Sequence, residues 1–449
     1  MFGYYLRLAL RSLRKNPVLT TLMIAAIGLG IGVCMTTLSI YYLMSSNPAR
    51  AKNDVLYSVM LDSWDPARAY DEDAVAPNWL RGAGHAVLPP WELTYRDAMA
   101  IRSSDITTRQ VAMFKVTFIV QPERDDVHPF LARARATDGD FFALFDVPFI
   151  YGSGWDRSMD ANAEQVAVIN KEMNDKVFGG QNSVGQEITL NERKFKIAGV
   201  IDDWHPTPLY YDVNNGAFDD SEEIFVPFSL TAPLELDSAG NTNCWKPEPI
   251  TSFTGFLNSE CVWIQYWVQL DGAEQRERYQ AYLDGYVGEQ KQLGRFGRPL
   301  NNLLLNVGDV LKVREAAGDD SPVLVGLSFM FLAVCVLNTV GLLLAKFIGK
   351  APQIGLRRAL GATRSAIFGQ HLIEVGVVGL AGGVLGLLLA WVGLRGVQTM
   401  LEESDRYAHL DANMLAIGLA IALIASFAAG LYPTWRVCRM SPAPFLKTQ

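Results

Sequence analysis

The sequence predicts a membrane α-helical protein of four transmembrane helices that carries one large α+β domain outside the bilayer. Three observations lead there. The apolar residues gather in four long runs nearly free of charge, basic side chains collect beside the ends of those runs, and the block between the first two runs holds short β-type segments broken by turn residues. Of 449 residues, 50% are hydrophobic and 19% are charged, and the mean hydropathy is +0.12. This composition excludes gross disorder and argues against a soluble cytoplasmic enzyme. With 39 Lys and Arg against 47 Asp and Glu, the net charge of −8 offers no footprint for nucleic acid.

Residues 1–16 carry Arg7, Arg11, Arg14 and Lys15 and no acid. The arginines share one helical face, with Tyr5, Leu6, Leu10 and Leu13 on the others, so an amphipathic helix lying on the inner leaflet is expected. The same charges also serve to orient the chain. Residues 17–45 form the first span, because 16–49 lacks any charged side chain and about 20 apolar residues suffice to cross a bilayer. That run far exceeds the roughly 7–15 apolar residues of a cleaved signal, so it reads as a retained anchor. Gly28, Gly30 and Gly32 imitate a nucleotide-binding pattern, but inside an apolar helix they let a neighbouring backbone approach. Cys34, preceded by Val33, makes a poor lipidation site and reads as a helix residue.

Residues 46–321 form the ectodomain. Strands are expected at 115–120, 165–169, 195–200 and 262–270, helices at 93–102 and 273–292, and a stalk at 300–317 feeding the second span. The remaining elements are a second span at 322–346, a cytoplasmic segment at 347–366, a third span at 367–394, an outward loop at 395–411, a fourth span at 412–434 and a tail at 435–449. Segments 1–16, 346–364 and the tail hold 12 basic side chains and no acid, whereas the third loop carries Glu402, Glu403, Asp405 and Asp411. Both termini are therefore expected in the cytoplasm and the ectodomain outside.

Cys244 and Cys261 both lie in the ectodomain, in an oxidising compartment by this topology, and a bridge between them would contribute about 3 kcal/mol. No metal site is expected, since no second CxxC or HxxxH spacing accompanies them. The sequence has no GxxxxGK[ST], HExxH or GxSxG. ATP binding is therefore assigned to another chain, and no catalytic residue is named. Asp138 and Asp140 around Gly139 could be metal-binding carboxylates, yet DGD before Phe141 and Phe142 reads better as a turn entering a helix. His371 and Glu374 stand three apart on one face of the third span. An intramembrane ionisable pair suggests a proton relay or a substrate contact, while the structural alternative is pairing of Glu374 with an arginine of the preceding basic segment. The eight ectodomain tryptophans could line an apolar cleft or simply pack a core.

The segment QIGLRRALGATRSAI, residues 353–367, resembles the cytoplasmic coupling region of the FtsX-like permeases, the MacB-type ABC transporters, in which a short helix docks in a groove of the ATPase. The resemblance assigns coupling to Gln353, Ile354, Gly355, Leu356, Arg357, Arg358, Ala359, Leu360, Gly361, Ala362, Thr363 and Arg364. Leu356 and Leu360 would form an apolar ridge, the small residues would permit close approach, and the arginines would pair with acids. Gln353 stands where the family usually has Glu. Residues 8–32 resemble the family's first helix, 370–386 its third, and GLYPTWRVCRMSPAPFLK, 430–447, its C-terminal signature. ATDGDFFALFDVPFIYGSGW (136–155), VAVINKEMNDKVFGGQNSVGQEITLNERKFKIAGVIDD (166–203) and EEIFVPFS (222–229) resemble the MacB-type periplasmic core domain.

The resemblance implies a type VII ABC architecture in a bacterial inner membrane, with the ectodomain periplasmic and divided into a porter part and an inserted sabre part. It implies a second permease, identical or paralogous, and an ATPase dimer that holds the ATP and Mg. It further implies export of a peptide, macrolide-like or other amphipathic substrate toward an adaptor and an outer-membrane channel, with lipid around the spans. Two alternatives share the topology: a lipoprotein-extracting permease, and an FtsX-like regulator of a cell-wall hydrolase.

Overall fold

The computed structural model describes residues 2–67, 74–124, 126–314, 321–400 and 412–439, and it divides into two units, residues 1–44 with 317–449 and residues 45–316. The chain opens with α1 (Phe2–Lys15) and α2 (Pro17–Ser45). The second unit then runs β1 (Leu56–Met60), α3 (Asn78–Gly82), β2 (Leu93–Thr94), α4 (Tyr95–Ile101), β3 (Gln110–Gln121), β4 (Phe130–Thr137), α5 (Phe141–Leu144), β5 (Phe149–Gly152), α6 (Arg157–Ala161), β6 (Val166–Asn170) and α7 (Lys171–Phe178). It continues with β7 (Glu187–Leu190), β8 (Arg193–Ile201), β9 (Ile224–Pro227), α8 (Phe253–Leu257), β10 (Val262–Gln269), α9 (Ala273–Gln292), β11 (Leu303–Asn306) and α10 (Val307–Val313). The chain closes with α11 (Ser321–Ile348), α12 (Ala351–Ala359), α13 (Arg364–Met400) and α14 (Ala412–Arg439).

Helices α2, α11, α13 and α14 are each long and apolar enough to cross a membrane. The glycines of α2 do close-packing work. A Cβ at Gly28 would lie 2.9 Å from Leu385, and one at Gly32 would lie 2.8 Å from Leu389. Reciprocally, Cβ atoms at Gly382 and Gly386 of α13 would each lie 2.7 Å from Ile27 and Ile31 of α2. The two helices therefore meet along a seam of interlocked glycine and branched side chains, which a methyl group on any of these glycines would pry open. The acidic loop expected at 395–411 lies outside the described residues from 401 onward, as does the tail from 440.

The second unit is built on an 11-stranded sheet ordered β11-β1-β10-β3-β4-β9-β6-β8-β5, with β2 on β10 and β7 bridging β3 and β8. Alternation explains why both faces are covered. In β3, Ala112, Phe114, Val116, Phe118 and Val120 enter one core while Val111 and Met113 enter the other. β1 divides likewise, Tyr57 and Val59 to one side, Leu56 and Met60 to the other. Helix α9 covers the first face through Tyr279, Leu283 and Val287. Asn191 and Glu192, both at positive φ (46° and 65°), form the tight turn between β7 and β8, the backbone a two-residue hairpin needs.

Two expectations change. The predicted helix at 93–102 begins two residues later, because Leu93 and Thr94 pair with β10 and the Thr94 hydroxyl then caps α4 by accepting the Asp97 N–H. The expected stalk at 300–317 is strand β11, which gives β1 an antiparallel partner, followed by helix α10; its last residues, from 315, lie outside the described ones. Cys244 and Cys261 are bonded, with a Cα–Cα distance of 4.2 Å. Asp138 and Asp140 brace a turn: Asp138 accepts the Ala112 N–H at 2.8 Å and pairs with Arg102, while Asp140 pairs with Arg157 at 2.9 Å. Among the described residues, no group of three or more His, Cys, Asp or Glu is arranged to hold a metal. Most tryptophans pack: Trp155, Trp263 and Trp267 are buried, and Trp204 stacks on Tyr211 at 5.5 Å.

A polar network runs through this packed interior. Arg135 of β4 is fully buried, donates to Asp212 at 2.5 Å and to Glu222, and lies 5.0 Å from the Tyr211 ring. Gln265 links it to Glu92, whose carboxylate accepts from Asn214 at 2.5 Å and from Gln265 at 3.2 Å. Burial, only partly offset by the Asn214 hydrogen bond, pushes the Glu92 carboxyl up to about 7. Its unfolded value lies near 4.3, so the folded chain holds this proton more tightly and loses stability as the pH rises from about 4 to about 7. Glu92→Gln keeps the acceptor oxygen and removes the ionisation. It is expected to stabilise the domain by on the order of 2 kcal/mol at pH 8 and to change little at pH 4. Urea unfolding of the full chain, followed by tryptophan fluorescence at both pH values, checks this; an equal effect at both would refute the assignment.

Candidate coupling site

The coupling-like segment folds as α12, nine residues with Pro352 in its first turn and Gly361 at φ +99° just beyond its end. Its sides differ sharply. Ala351, Ile354 and Gly355 are buried against the helices of its own unit, whereas Leu356 is 54% exposed and Leu360 79% exposed. The helix thus carries an outward apolar ridge that its own fold leaves uncovered. The two neighbouring arginines part company: Arg357 is exposed and donates to the Gln370 side chain of α13 at 2.8 Å, while Arg358 is half-buried. Ala359, Gly361, Thr363 and Arg364 are exposed, Ala362 is half-buried, and the Thr363 hydroxyl accepts the Ala366 N–H as α13 begins.

What holds α12 in place lies directly behind it. Glu374 of α13 is fully buried; its Oε1 accepts the Ser12 hydroxyl of α1 at 2.5 Å and the Lys350 ammonium at 3.3 Å, and forms an ion pair with Lys346 at 2.7 Å. Lys350 also donates to Ser12, closing a small ring. His371 lies 3.5 Å from Glu374, and its ring packs 4.4 Å from that of Phe347. Lys346 is itself buried, so a carboxylate and an ammonium share a dry site that only mutual pairing makes tolerable. This corrects the sequence reading in one respect. Glu374 finds its cations in Lys346, in the last turn of α11, and Lys350, just past its end, rather than in an arginine of the basic segment.

Sequence reasoning also missed Ser12. Helix α1 does not simply rest on lipid: Ala9 and Leu13 are buried, and Ser12 reaches Glu374 across 362 positions of sequence. The only hint in the sequence is a small polar residue facing inward between Ala9 and Leu13 on an otherwise basic helix.

Comparison with known proteins agrees with both units. Residues 20–286 match the family model of the MacB-like periplasmic core domain, and residues 325–442 match that of the FtsX-like permease C-terminal region. The chain belongs to the FtsX-like, MacB-type ABC transporter permeases. The pyoverdine export ATP-binding/permease protein PvdT of Pseudomonas syringae pv. syringae is 26% identical to this permease over 313 residues, 70% of the chain and 42% of that protein. The macrolide export ATP-binding/permease protein MacB of Syntrophobacter fumaroxidans is 22% identical over 334 residues, 68% of the chain and 46% of that protein. The permease thus spans less than half the length of these relatives. Among solved structures, the periplasmic region of MacB from Actinobacillus actinomycetemcomitans aligns with 59% of the chain and 95% of its own, at 12% identity and a TM-score of 0.36.

The Glu374 cluster yields a direct test. Glu374→Gln leaves Lys346 buried without a counter-charge and is expected to cost about 3–5 kcal/mol. Adding Lys346→Met should restore much of that loss, because the replacement is apolar and similar in volume. Thermal unfolding of the detergent-solubilised chain measures both, and a double variant no more stable than the single would contradict the pairing.

Proposed function

We propose that this permease couples ATP hydrolysis on a separate ATP-binding chain to movement of its large domain, and that this movement drives export of an amphipathic substrate. The observation that supports the reading best is the exposed Leu356 and Leu360 ridge on α12, a short helix clamped from behind to α1, α11 and α13. An apolar ridge flanked by Arg358 and Arg364 suits a groove with an acidic rim. A load applied there would reach the membrane helices without being absorbed by a flexible loop.

In this reading the end of the molecule that carries α12 faces the cytoplasm, with both termini, and residues 46–321 lie in the periplasm of a bacterium with an inner membrane. ATP and Mg are held by an ATPase dimer, and this chain contributes no catalytic residue. A second permease, identical or paralogous, packs on exposed membrane helices; α11, with Leu324, Leu327, Met330, Val334 and Leu337 exposed, offers the largest such face. Two of the relatives are named for export of pyoverdine and of macrolides. An amphipathic small molecule or peptide is accordingly the substrate class proposed, handed to a periplasmic adaptor and an outer-membrane channel.

The test is affinity purification of the tagged full chain from its native membranes in mild detergent, with every co-purifying chain identified by mass spectrometry. Recovery of an ATP-binding chain with an adaptor is expected. Leu356→Asp with Leu360→Asp should reduce recovery of the ATP-binding chain more than tenfold while leaving the permease monodisperse, since two solvent-facing substitutions leave the buried side of α12 intact. Undiminished recovery would remove α12 from the docking surface.

A further inference from the structure

Beside α12 lies a cleft of about 220 Å³ that the coupling reading does not use. It is enclosed by α1, α12 and the start of α13, and its lining carries four cations, Arg11, Lys15, Lys350 and Arg357, without a single carboxylate. Glu374, the nearest acid in the unit's ion-pair network, lies buried behind the cleft and is already shared among Lys346, Lys350 and Ser12. Lys350 is paired with Glu374, so Arg11 and Lys15 of α1 and Arg357 of α12 are the cations that face this space, and among the described residues no carboxylate lines it. These three cations are exposed to solvent, and an anion placed among them would meet all three at once.

Position and lining narrow the class of anion. Lys15 stands two residues before α2 begins at Pro17, and Lys350 two residues after α11 ends at Ile348. The cleft thus lies at the level where these spans leave the hydrocarbon, the depth of lipid headgroups. Its walls also include Leu8, Ile354 and Ile367, so the cations meet an apolar surface. A free phosphate would gain nothing from that surface, whereas the first carbons of a glycerophospholipid would bury against it. We propose that this cleft binds the phosphate headgroup of an anionic phospholipid from the leaflet on the α12 side. The bound headgroup joins α1 to α12 through Arg11 and Arg357, and so makes the seating of the coupling helix depend on lipid composition. The proposal stands independently of whether α12 docks an ATPase.

The full chain, reconstituted in nanodiscs of phosphatidylcholine with or without phosphatidylglycerol and examined by native mass spectrometry after release, provides the test. Wild type should retain phosphatidylglycerol in preference to phosphatidylcholine. Arg11→Gln with Arg357→Gln should weaken that retention by about 5-fold for each cation removed, and Arg11→Lys with Arg357→Lys should restore most of it. Arg7→Gln with Arg14→Gln removes the same charge from α1 at two positions that do not line the cleft and should leave retention unchanged. An equal loss in this control pair would reduce the effect to general surface attraction and overturn the site. Displacement of the lipid by millimolar inorganic phosphate, at ionic strength matched with chloride, would assign the cleft to a soluble anion and overturn the lipid assignment. Unchanged lipid retention together with loss of a co-purifying protein in the Gln pair would give the cleft to an acidic protein partner instead, and would overturn it equally.

Discussion

The membrane unit is organised around one buried carboxylate. Glu374 has no water to solvate it, so every donor within reach must turn toward it, and those donors come from α1 and from the end of α11. Each contact fixes an element whose own sequence would leave it loosely placed. Helix α1 is short and amphipathic, and Ser12 on Glu374 adds a buried polar tie to the apolar contacts of Ala9 and Leu13. The last turn of α11 would fray at Gly349 were Lys346 and Lys350 not anchored. Helix α12 starts one residue after Lys350, so its position follows from theirs. Electrostatic necessity in a dry site thus sets the geometry of a surface helix that touches the carboxylate nowhere.

The large domain obeys a different constraint. A sheet buried on both faces has no solvated side on which to leave a charged strand residue, yet β4 reads Ala-Arg-Ala-Arg-Ala. Arg133 lies near the strand's outer end and remains exposed, but Arg135 two residues on is fully enclosed, and Asp212, Glu222 and Tyr211 must come to it. The long connection between β8 and β9 is where those partners reside. That segment, with little regular structure, is held by charge rather than by hydrogen-bonded ladders, and Glu92 joins the same network from across the sheet through Gln265. A second guanidinium, Arg295, does the same for the start of α4 and the entry to β10, with Asp97 at 2.8 Å and Glu260 at 2.7 Å.

These two constraints also explain what the sequence made legible. The spans were readable because lipid excludes charge over a length that no soluble helix needs, and the strands because a pleated segment alternates between two cores. The leucine ridge of α12 was expected from the resemblance of residues 353–367 to a coupling region, and Leu356 and Leu360 are exposed there. Partnerships across hundreds of residues were not. Nothing near Glu374 in the chain points to Ser12, and the arginines that follow α11 are nominally better partners for a carboxylate than the lysines that precede them. Arg135 was equally hidden, since an Arg in an alternating strand ordinarily faces solvent. The early start of β2 escaped for a related reason: Leu93 and Thr94 fit a helix by propensity, and only the presence of β10 beside them selects the extended form.

The four spans are packed unequally. Helices α2 and α13 are locked along their length by the reciprocal glycine seam, and α13 and α14 pack closely at Gly383, where a Cβ would lie 2.8 Å from that of Ala422. Helix α11 is different: it has the smallest buried share of the four spans, 22% against 39% for α13 and α14 and 50% for α2. It packs on α2 through Leu332 and Cys335, which press on Gly30, lies against α14, and at its end buries Lys346 and Phe347 beside Glu374 and His371. Helices α2, α13 and α14 are interlocked by small residues, whereas α11 joins them along one side and keeps an exposed apolar face on the other. The Glu374 cluster fixes the end of α11 beside α1 and α13, so α12, which starts one residue beyond Lys350, takes its position from all three helices.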